Sequence, residues 1–315
     1  MTRVAVTSRS FSRHPVLRAE LLDRYPEVTF NDDGLSLGGS ALVHYLSGHE
    51  KAIVALETLD AATLDALPDL HVVSKYGVGF DLLDLQTMAR RGMRLGWTGG
   101  VNRRSVAELA IAFMIALLRE IPAATAELRA GTWKNRIGRQ LSDRTVGIVG
   151  CGHVGKDLVI LLRAFGCRVI AHDILDFPDF YAAHDVTPVG LEDLLRDADV
   201  VTLHLPLDDT TRGILDRQRL ALMKPDAVLI NTARGGLVDE TVLREMLESG
   251  RLAGAGFDVF AVEPPEDVAL FDLPNFLATP HIGGSAAEAI LAMGRAAIAG
   301  LDDARVPGNG WPPGS

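Results

Sequence analysis

Short apolar, β-branched runs alternate with amphipathic stretches along the whole chain. Runs at 4–7, 52–56 and 72–75 predict strands, with helical periodicity at 16–24 and 82–91. A second series predicts strands at 146–149, 168–172, 200–205, 228–231 and 276–279, with helices among them at 154–165 and 240–248. Strands of a parallel sheet are buried on both faces, so near-continuous apolar runs spaced by helices predict α/β architecture. Two series predict two doubly wound parallel-sheet domains. Between them, 105–120 is an almost wholly apolar helical pattern whose one internal charge is Glu108. Such a helix is expected to be buried on most sides, at a domain joint or subunit interface. Residues 285–301 predict a last helix, with Ser285 as N-cap, that returns the chain to the first domain. The tail at 306–315 is rich in Pro and Gly and is expected to be disordered.

Composition narrows the function classes. A chain of 315 residues that is 48% hydrophobic can bury more than one core. A net charge of −10 without a Lys/Arg block argues against nucleic acid or an anionic membrane surface as partner. Only 4 Tyr and 3 Trp argue against an aromatic nucleic-acid platform. No apolar run approaches the roughly 18 residues of a membrane span, and residues 1–10 lack the three-part pattern of a signal peptide. Cys151 and Cys167 alone make neither a disulfide framework nor a metal site. The expectation is a cytoplasmic protein without a metal.

The first chemical motif is Gly150-Cys151-Gly152-His153-Val154-Gly155. It follows a predicted strand, opens a predicted helix, and precedes a second strand that ends in Asp173, 18 positions after Gly155. That context makes it a dinucleotide fingerprint. Gly150 suits the tight turn, Gly152 lets backbone approach the pyrophosphate, and Gly155 lets helix and strand pack closely. Backbone amides and the positive helix end then receive the phosphates. Asp173 can accept hydrogen bonds from the adenosine ribose and would repel a 2′-phosphate, so NAD is favoured over NADP. Cys151 is read as a small filler of the turn rather than a reactive thiol.

Three further segments carry polar residues just after strands, where α/β sheets place their chemistry. They are Ile230–Gly236 with Arg234, Phe257–Pro264 with Glu263, and Thr279–Ser285 with His281. Reduction of a 2-keto acid needs a planar cation to hold the carboxylate and polarise the carbonyl, which arginine supplies. It needs an acid that titrates in the useful range, which histidine supplies. A carboxylate beside the histidine fixes its tautomer and stabilises the imidazolium. Arg234, His281 and Glu263 form that set.

These motifs together resemble the D-isomer-specific 2-hydroxyacid dehydrogenases, the family of phosphoglycerate, glycerate and D-lactate dehydrogenases. The segments NTARGGLVDE (231–240), FDVFAVEP (257–264) and TPHIGG (279–284) carry the resemblance, with the glycine loop Lys75-Tyr76-Gly77-Val78-Gly79-Phe80-Asp81 and the helix start Ser105-Val106-Ala107-Glu108-Leu109. The resemblance spans about 52–300. It implies a flavodoxin-like substrate domain formed by both chain ends (1–98 with 284–315) and an inserted Rossmann NAD-binding domain (99–283). It implies catalytic roles for Arg234, Glu263 and His281, and cofactor contacts from His153, Val154, Asp173, Pro206, Thr232, Ala233, Asp258 and Gly283. It also implies that the amides of Val78 and Gly79 bind the substrate carboxylate, and that the chain dimerises through the Rossmann domain with the 105–120 helix. Domain closure is expected around hinges near 99–102 and 283–285.

The substrate is less legible. An Arg-Ser pair that helps hold a substrate phosphate in phosphoglycerate dehydrogenases aligns with Ala55-Leu56, followed by Glu57. Lys75 keeps a cation beside the glycine loop. Arg9 and Arg13, in the 8–15 loop after the first strand, either meet a phosphate, phosphonate or second carboxylate or are surface residues. Arg103 and Arg104 serve either the cofactor or the surface. The alternative function is an NADH-responsive corepressor-like binding protein on the same fold.

Overall fold

The computed structural model describes residues 2–308 and 311, and the chain divides into two compact units. One comprises 1–102 with 285–315, the other 103–284.

The first unit runs β1 (Arg3–Val6), α1 (Arg9–Arg13), α2 (Pro15–Arg24), β2 (Glu27–Phe30), α3 (Gly39–Leu46), β3 (Lys51–Val54), α4 (Ala61–Asp65), β4 (Val72–Lys75), α5 (Leu85–Arg90) and β5 (Arg94–Gly96). The five strands pair in parallel in the order β2-β1-β3-β4-β5, the flavodoxin-like doubly wound order. Val4, Ala5, Val6, Ile53 and Val73 are fully buried between helices on the two faces. The C-terminal helix Ala287–Gly300 packs on β4 and β5, as its Ala-rich sequence allows. Ser74 Oγ donates to the Ala297 carbonyl at 2.7 Å.

Several local expectations change. The segment after β1 is a short helix, not a loop: Ser8 Oγ accepts from the Phe11 amide at 3.3 Å, and Phe11 is buried. Asp84 caps α5 by accepting from the Thr87 amide at 2.9 Å, which starts that helix three residues later than its apolar pattern does. Ser285 does not cap the last helix. Ala286 holds the cap position, with no side-chain cap. Just before the tail Arg305 pairs with Leu95, and within it the Trp311 ring centroid lies 6.1 Å from that of Trp97. Residues 309, 310 and 312–315 lie outside the described residues, and with them the rest of the disorder expectation.

The second unit opens with α6 (Arg103–Leu118) and α7 (Ile121–Arg129). It continues with β6 (Thr145–Val149), α8 (His153–Ala164), β7 (Arg168–His172), α9 (Pro178–His184), β8 (Val186–Pro188), α10 (Leu191–Asp197), β9 (Val200–Leu203), α11 (Arg217–Leu220), β10 (Val228–Asn231), α12 (Glu240–Glu248), β11 (Gly254–Phe257) and β12 (Phe276–Ala278). Seven parallel strands take the order β12-β11-β10-β9-β6-β7-β8. The order reverses between β6 and β9, so the loops after these strands diverge and leave a crevice at the carboxyl edge. Strands β9, β10 and β11 are buried at every position, which explains the near-continuous apolar runs of β9 and β10.

Helix α6 buries Val106, Ala107, Ala110, Ile111, Phe113, Met114, Leu117 and Leu118 against α8, β10 and β11. Arg104 on α6 forms a two-pronged pair with Asp157 on α8, at 2.7 and 3.0 Å. That arginine therefore joins two helices. Among the described residues no single helix is long and apolar enough to cross a membrane, and the chain bends by 62° between α6 and α7.

Candidate active site

The fingerprint turn follows β6 directly. Gly150 has φ +95°, and a Cβ there would lie 2.7 Å from the His204 carbonyl oxygen. A Cβ on Gly155 would meet the Gly150 carbonyl oxygen at 2.3 Å, so α8 approaches its strand as only glycine permits. The space beside Gly152 is open to 4 Å, and no side chain caps α8. The exposed amide turn at the start of this 12-residue helix can therefore receive an anion. Val154 is half-buried, while His153 is exposed at the helix start. Partial burial, then the neighbouring Arg103 and Lys156 cations, hold His153 below the usual histidine range.

Asp173 lies one residue beyond β7. Its carboxylate accepts from the Cys151 amide at 2.6 Å and the Leu175 amide at 2.8 Å, so it fixes the fingerprint turn. An ionised carboxylate has about four acceptor positions, which leaves room for ribose hydroxyls. Two buried polar atoms on neighbouring strand ends have no partner, Thr232 Oγ1 and His204 Nδ1. Burial pushes His204 down to about 3, so its ring is neutral, with Nε2 2.9 Å from Thr202 Oγ1. Pro206 is exposed at the next turn, and the Ala233 amide is held by Asn231 Oδ1 at 3.1 Å. Open space at Gly152, acceptor capacity at Asp173 and an unpartnered Thr232 fit a dinucleotide. Cys151 is fully buried, and burial followed by Asp173 pushes its thiol up to about 11. Burial also raises Cys167 to about 11. Both thiols stay protonated at neutral pH, as the filler reading of Cys151 expects.

The three chemical segments meet at the carboxyl ends of β10, β11 and β12. Asn231, fully buried, donates from Nδ2 to the Arg234 carbonyl at 2.9 Å and so shapes the turn that projects Arg234. Arg234 is half-buried, with one guanidinium nitrogen 2.7 Å from the Ala233 carbonyl. A Cβ on Gly235 would lie 1.9 Å from the Phe260 carbonyl carbon and oxygen, so this turn and the one after β11 touch backbone to backbone. Glu263 Oε1 accepts from the Phe260 amide at 3.0 Å, and Oε2 lies 2.7 Å from His281 Nδ1. His281 has φ +54°, a left-handed conformation that costs a non-glycine residue about 1 kcal/mol or more. Its amide is held by the Asp258 carbonyl at 2.8 Å and the Thr279 carbonyl at 3.1 Å.

Asp258 is 1% exposed, and both of its carboxylate oxygens are committed. One accepts from the Ile282 amide at 2.7 Å and from the Thr279 hydroxyl, the other from the Gly283 amide at 2.7 Å. The Gly283 carbonyl accepts from Ser105 Oγ at 2.6 Å, tying the loop to α6. Any part of Asp258 in holding a cofactor therefore runs through this loop. Replacing Asp258 with Ala strands three donors and is expected to lower stability by about 3 kcal/mol. Denaturant unfolding checks it, and an unchanged midpoint would contradict the clamp.

The remaining expected contacts lie in the other unit. Lys75 is 5% exposed and donates from Nζ to the Ala55 carbonyl. The Val78 carbonyl accepts from Trp97 Nε1 at 2.7 Å, beside a positive φ at Gly77 and a half-buried Gly79. Arg9 and Arg13 lie exposed one turn apart on α1. Asn231 and Ser105 are supports that the motif spacing leaves out. A polar residue closing an apolar strand was the available signal for Asn231.

A family model described as D-isomer specific 2-hydroxyacid dehydrogenase, NAD binding domain, matches residues 111–283. The chain belongs to this family. It is 41% identical over 234 residues to a D-3-phosphoglycerate dehydrogenase of Mycobacterium bovis, which covers 74% of this chain and 44% of the relative. The chain thus spans about half the length of the phosphoglycerate dehydrogenases it matches. It is 39% identical over 238 residues to a hydroxypyruvate reductase of Thermotoga maritima, covering 73% of this chain and 76% of the relative. A glyoxylate reductase structure from Paecilomyes thermophila superposes with a TM-score of 0.85 at 26% identity, over 97% of this chain and 98% of the other.

Proposed function

We propose that the chain is an NAD-dependent D-2-hydroxyacid dehydrogenase that interconverts a small 2-hydroxy acid and its 2-keto acid. The observation that carries this reading is the 2.7 Å contact of Glu263 with His281 Nδ1 on the same strand edge as Arg234 and the fingerprint. Bound NADH supplies a hydride to C2 of the keto acid. Arg234 binds the substrate carboxylate and polarises the carbonyl, where negative charge grows. Glu263 accepts a hydrogen bond from Nδ1–H of the His281 imidazolium, which leaves Nε2 to give the proton to the carbonyl oxygen. Asp173 accepts from the ribose hydroxyls and disfavours a 2′-phosphate. Gly150, Gly152, His153, Val154 and Gly155 receive the pyrophosphate, and Pro206, Thr232, Ala233 and the Asp258–Gly283 clamp line the rest of the cofactor's path. Lys75, Val78, Gly79 and Arg9 are proposed substrate contacts, with the first unit as the substrate domain.

The test is a panel of glyoxylate, hydroxypyruvate, phosphohydroxypyruvate, pyruvate and phosphonate analogues, followed by NADH absorbance and repeated with NADPH. Turnover with at least one keto acid and a preference for NADH are expected. No turnover across the panel would count against the reading. The setting proposed is the cytoplasm, and the assembly a homodimer through the second unit. Trp133 and Ile137, at 90% and 93% exposure, follow α7, which also exposes Ile121 and Leu128, apolar side chains that a second copy can cover. Sedimentation at twice the chain mass, lost on Trp133→Lys, is the expected result.

A further inference from the structure

Glu240 opens α12, next to the N-cap Asp239, and its Oε1 accepts from the Ala261 amide at 2.8 Å. The preceding amide, that of Phe260, is held by Glu263 Oε1 at 3.0 Å. Two carboxylates thus hold consecutive amides of one turn. The same turn is pressed against Gly235, where no side chain fits. The second oxygen of Glu263 is the one on His281. We propose that Glu240 is a positioning residue of this site, bracing the Ala261 amide so that Glu263 stays on His281, and adding negative charge that favours the imidazolium. The inference rests on the reading of His281 and Glu263 given above.

The environment of Glu240 supports it. Burial pushes its carboxyl above the usual range, against the hydrogen bond from the Ala261 amide, and repulsion from Asp239 and Glu263 adds to the rise. The other charges on the elements packed here are largely engaged. Asp239 accepts from the Val242 amide, Arg217 on α11 pairs with Glu245, and Arg244 pairs with Glu248 and Asp267. Asp258 is committed to its loop.

The sign follows. A negative charge near the pair stabilises protonated His281, so its removal lets the proton leave at lower pH. Glu240→Gln keeps an acceptor for the Ala261 amide and loses the charge. Its alkaline limb for keto-acid reduction is expected to move down by about half a pH unit. Glu240→Ala also loses the acceptor, and its low-pH plateau of kcat is expected to fall about tenfold, below that of the Gln variant. The His281 ring resonances, followed by NMR in the whole protein, give the same half-unit shift for Glu240→Gln without any turnover. A Gln variant that titrates with the wild type overturns the electrostatic part, and an Ala variant with a wild-type plateau overturns the brace. Should the wild type reduce no keto acid, the functional reading fails while the NMR titration still decides the role of Glu240.

Discussion

His281→Asn is expected to lower kcat for keto-acid reduction by about 10²–10⁴-fold while leaving the melting temperature unchanged or slightly higher. The loss is the usual worth of a positioned general acid, about 3–5 kcal/mol of barrier. The stability side comes from the backbone. His281 holds φ +54°, where asparagine is more at ease than histidine, and its amide stays on the Asp258 and Thr279 carbonyls whatever the side chain. A histidine kept in a conformation that another residue fits better is a residue kept for its ring. Steady-state kinetics and a thermal melt on one preparation check both halves. Turnover within a few-fold of the wild type would remove His281 from the chemistry. In the wild type, reduction should fall as pH rises and the imidazolium is lost. The variant should lose that limb. Glu263→Gln should act in the same direction, since an amide lacks the charge that stabilises the imidazolium and can donate to Nδ1, which holds the ring in the other tautomer.

The fold was legible because burial on both faces leaves its mark in unbroken apolar runs. β4, β7 and β10 lie at the positions their runs predict, as does α12. What escaped was built from weaker signals. β11 is Gly-Ala-Gly-Phe, buried at all four positions, with a Cβ on Gly256 placed 3.0 Å from Phe113. Its small residues make room for α6, so it carries no apolar run to read. β2 alternates between exposed and half-buried positions at a sheet edge, and β5 and β8 are three residues long. Capping misled at Ser285, because a serine before an Ala-rich run is a capping pattern only if the chain turns there, and it turns at Ala286. Within the site, residues with a chemical reason to exist were visible: Arg234, Glu263, His281 and Asp173. Residues that hold them were not. Ser105 and Glu240 act through backbone groups of distant loops, and sequence spacing carries no trace of such contacts; Asn231 shapes its own turn, through the Ala233 amide and the Arg234 carbonyl.

Arg234→Ala is expected to lower kcat/KM for the keto acid by about 10³–10⁵-fold, with both terms affected, while NADH affinity stays within a few-fold. The guanidinium is asked to do two things, to hold a carboxylate by two parallel bonds and to stabilise the oxygen that gains charge. One acts in the ground state and the other mainly in the transition state, so KM rises and kcat falls together. The fingerprint and Asp173 are built from other elements, β6, α8 and β7, which is why cofactor affinity should survive. Arg234→Lys separates charge from geometry. An ammonium restores the charge but has no planar fork, so it should recover only about tenfold of the loss. The backbone supports this arginine closely. Asn231 holds its carbonyl, and Gly235 lies against Phe260 with no room for a Cβ, so the turn cannot readily shift to carry a shorter side chain toward the substrate. Activity and fluorescence titration with NADH provide the measurements. If Arg234→Lys equals the wild type, a point charge suffices and the two-oxygen grip on the substrate is wrong. If Arg234→Ala loses NADH binding to the same degree, the residue serves the cofactor and the assignment of the substrate carboxylate to it falls.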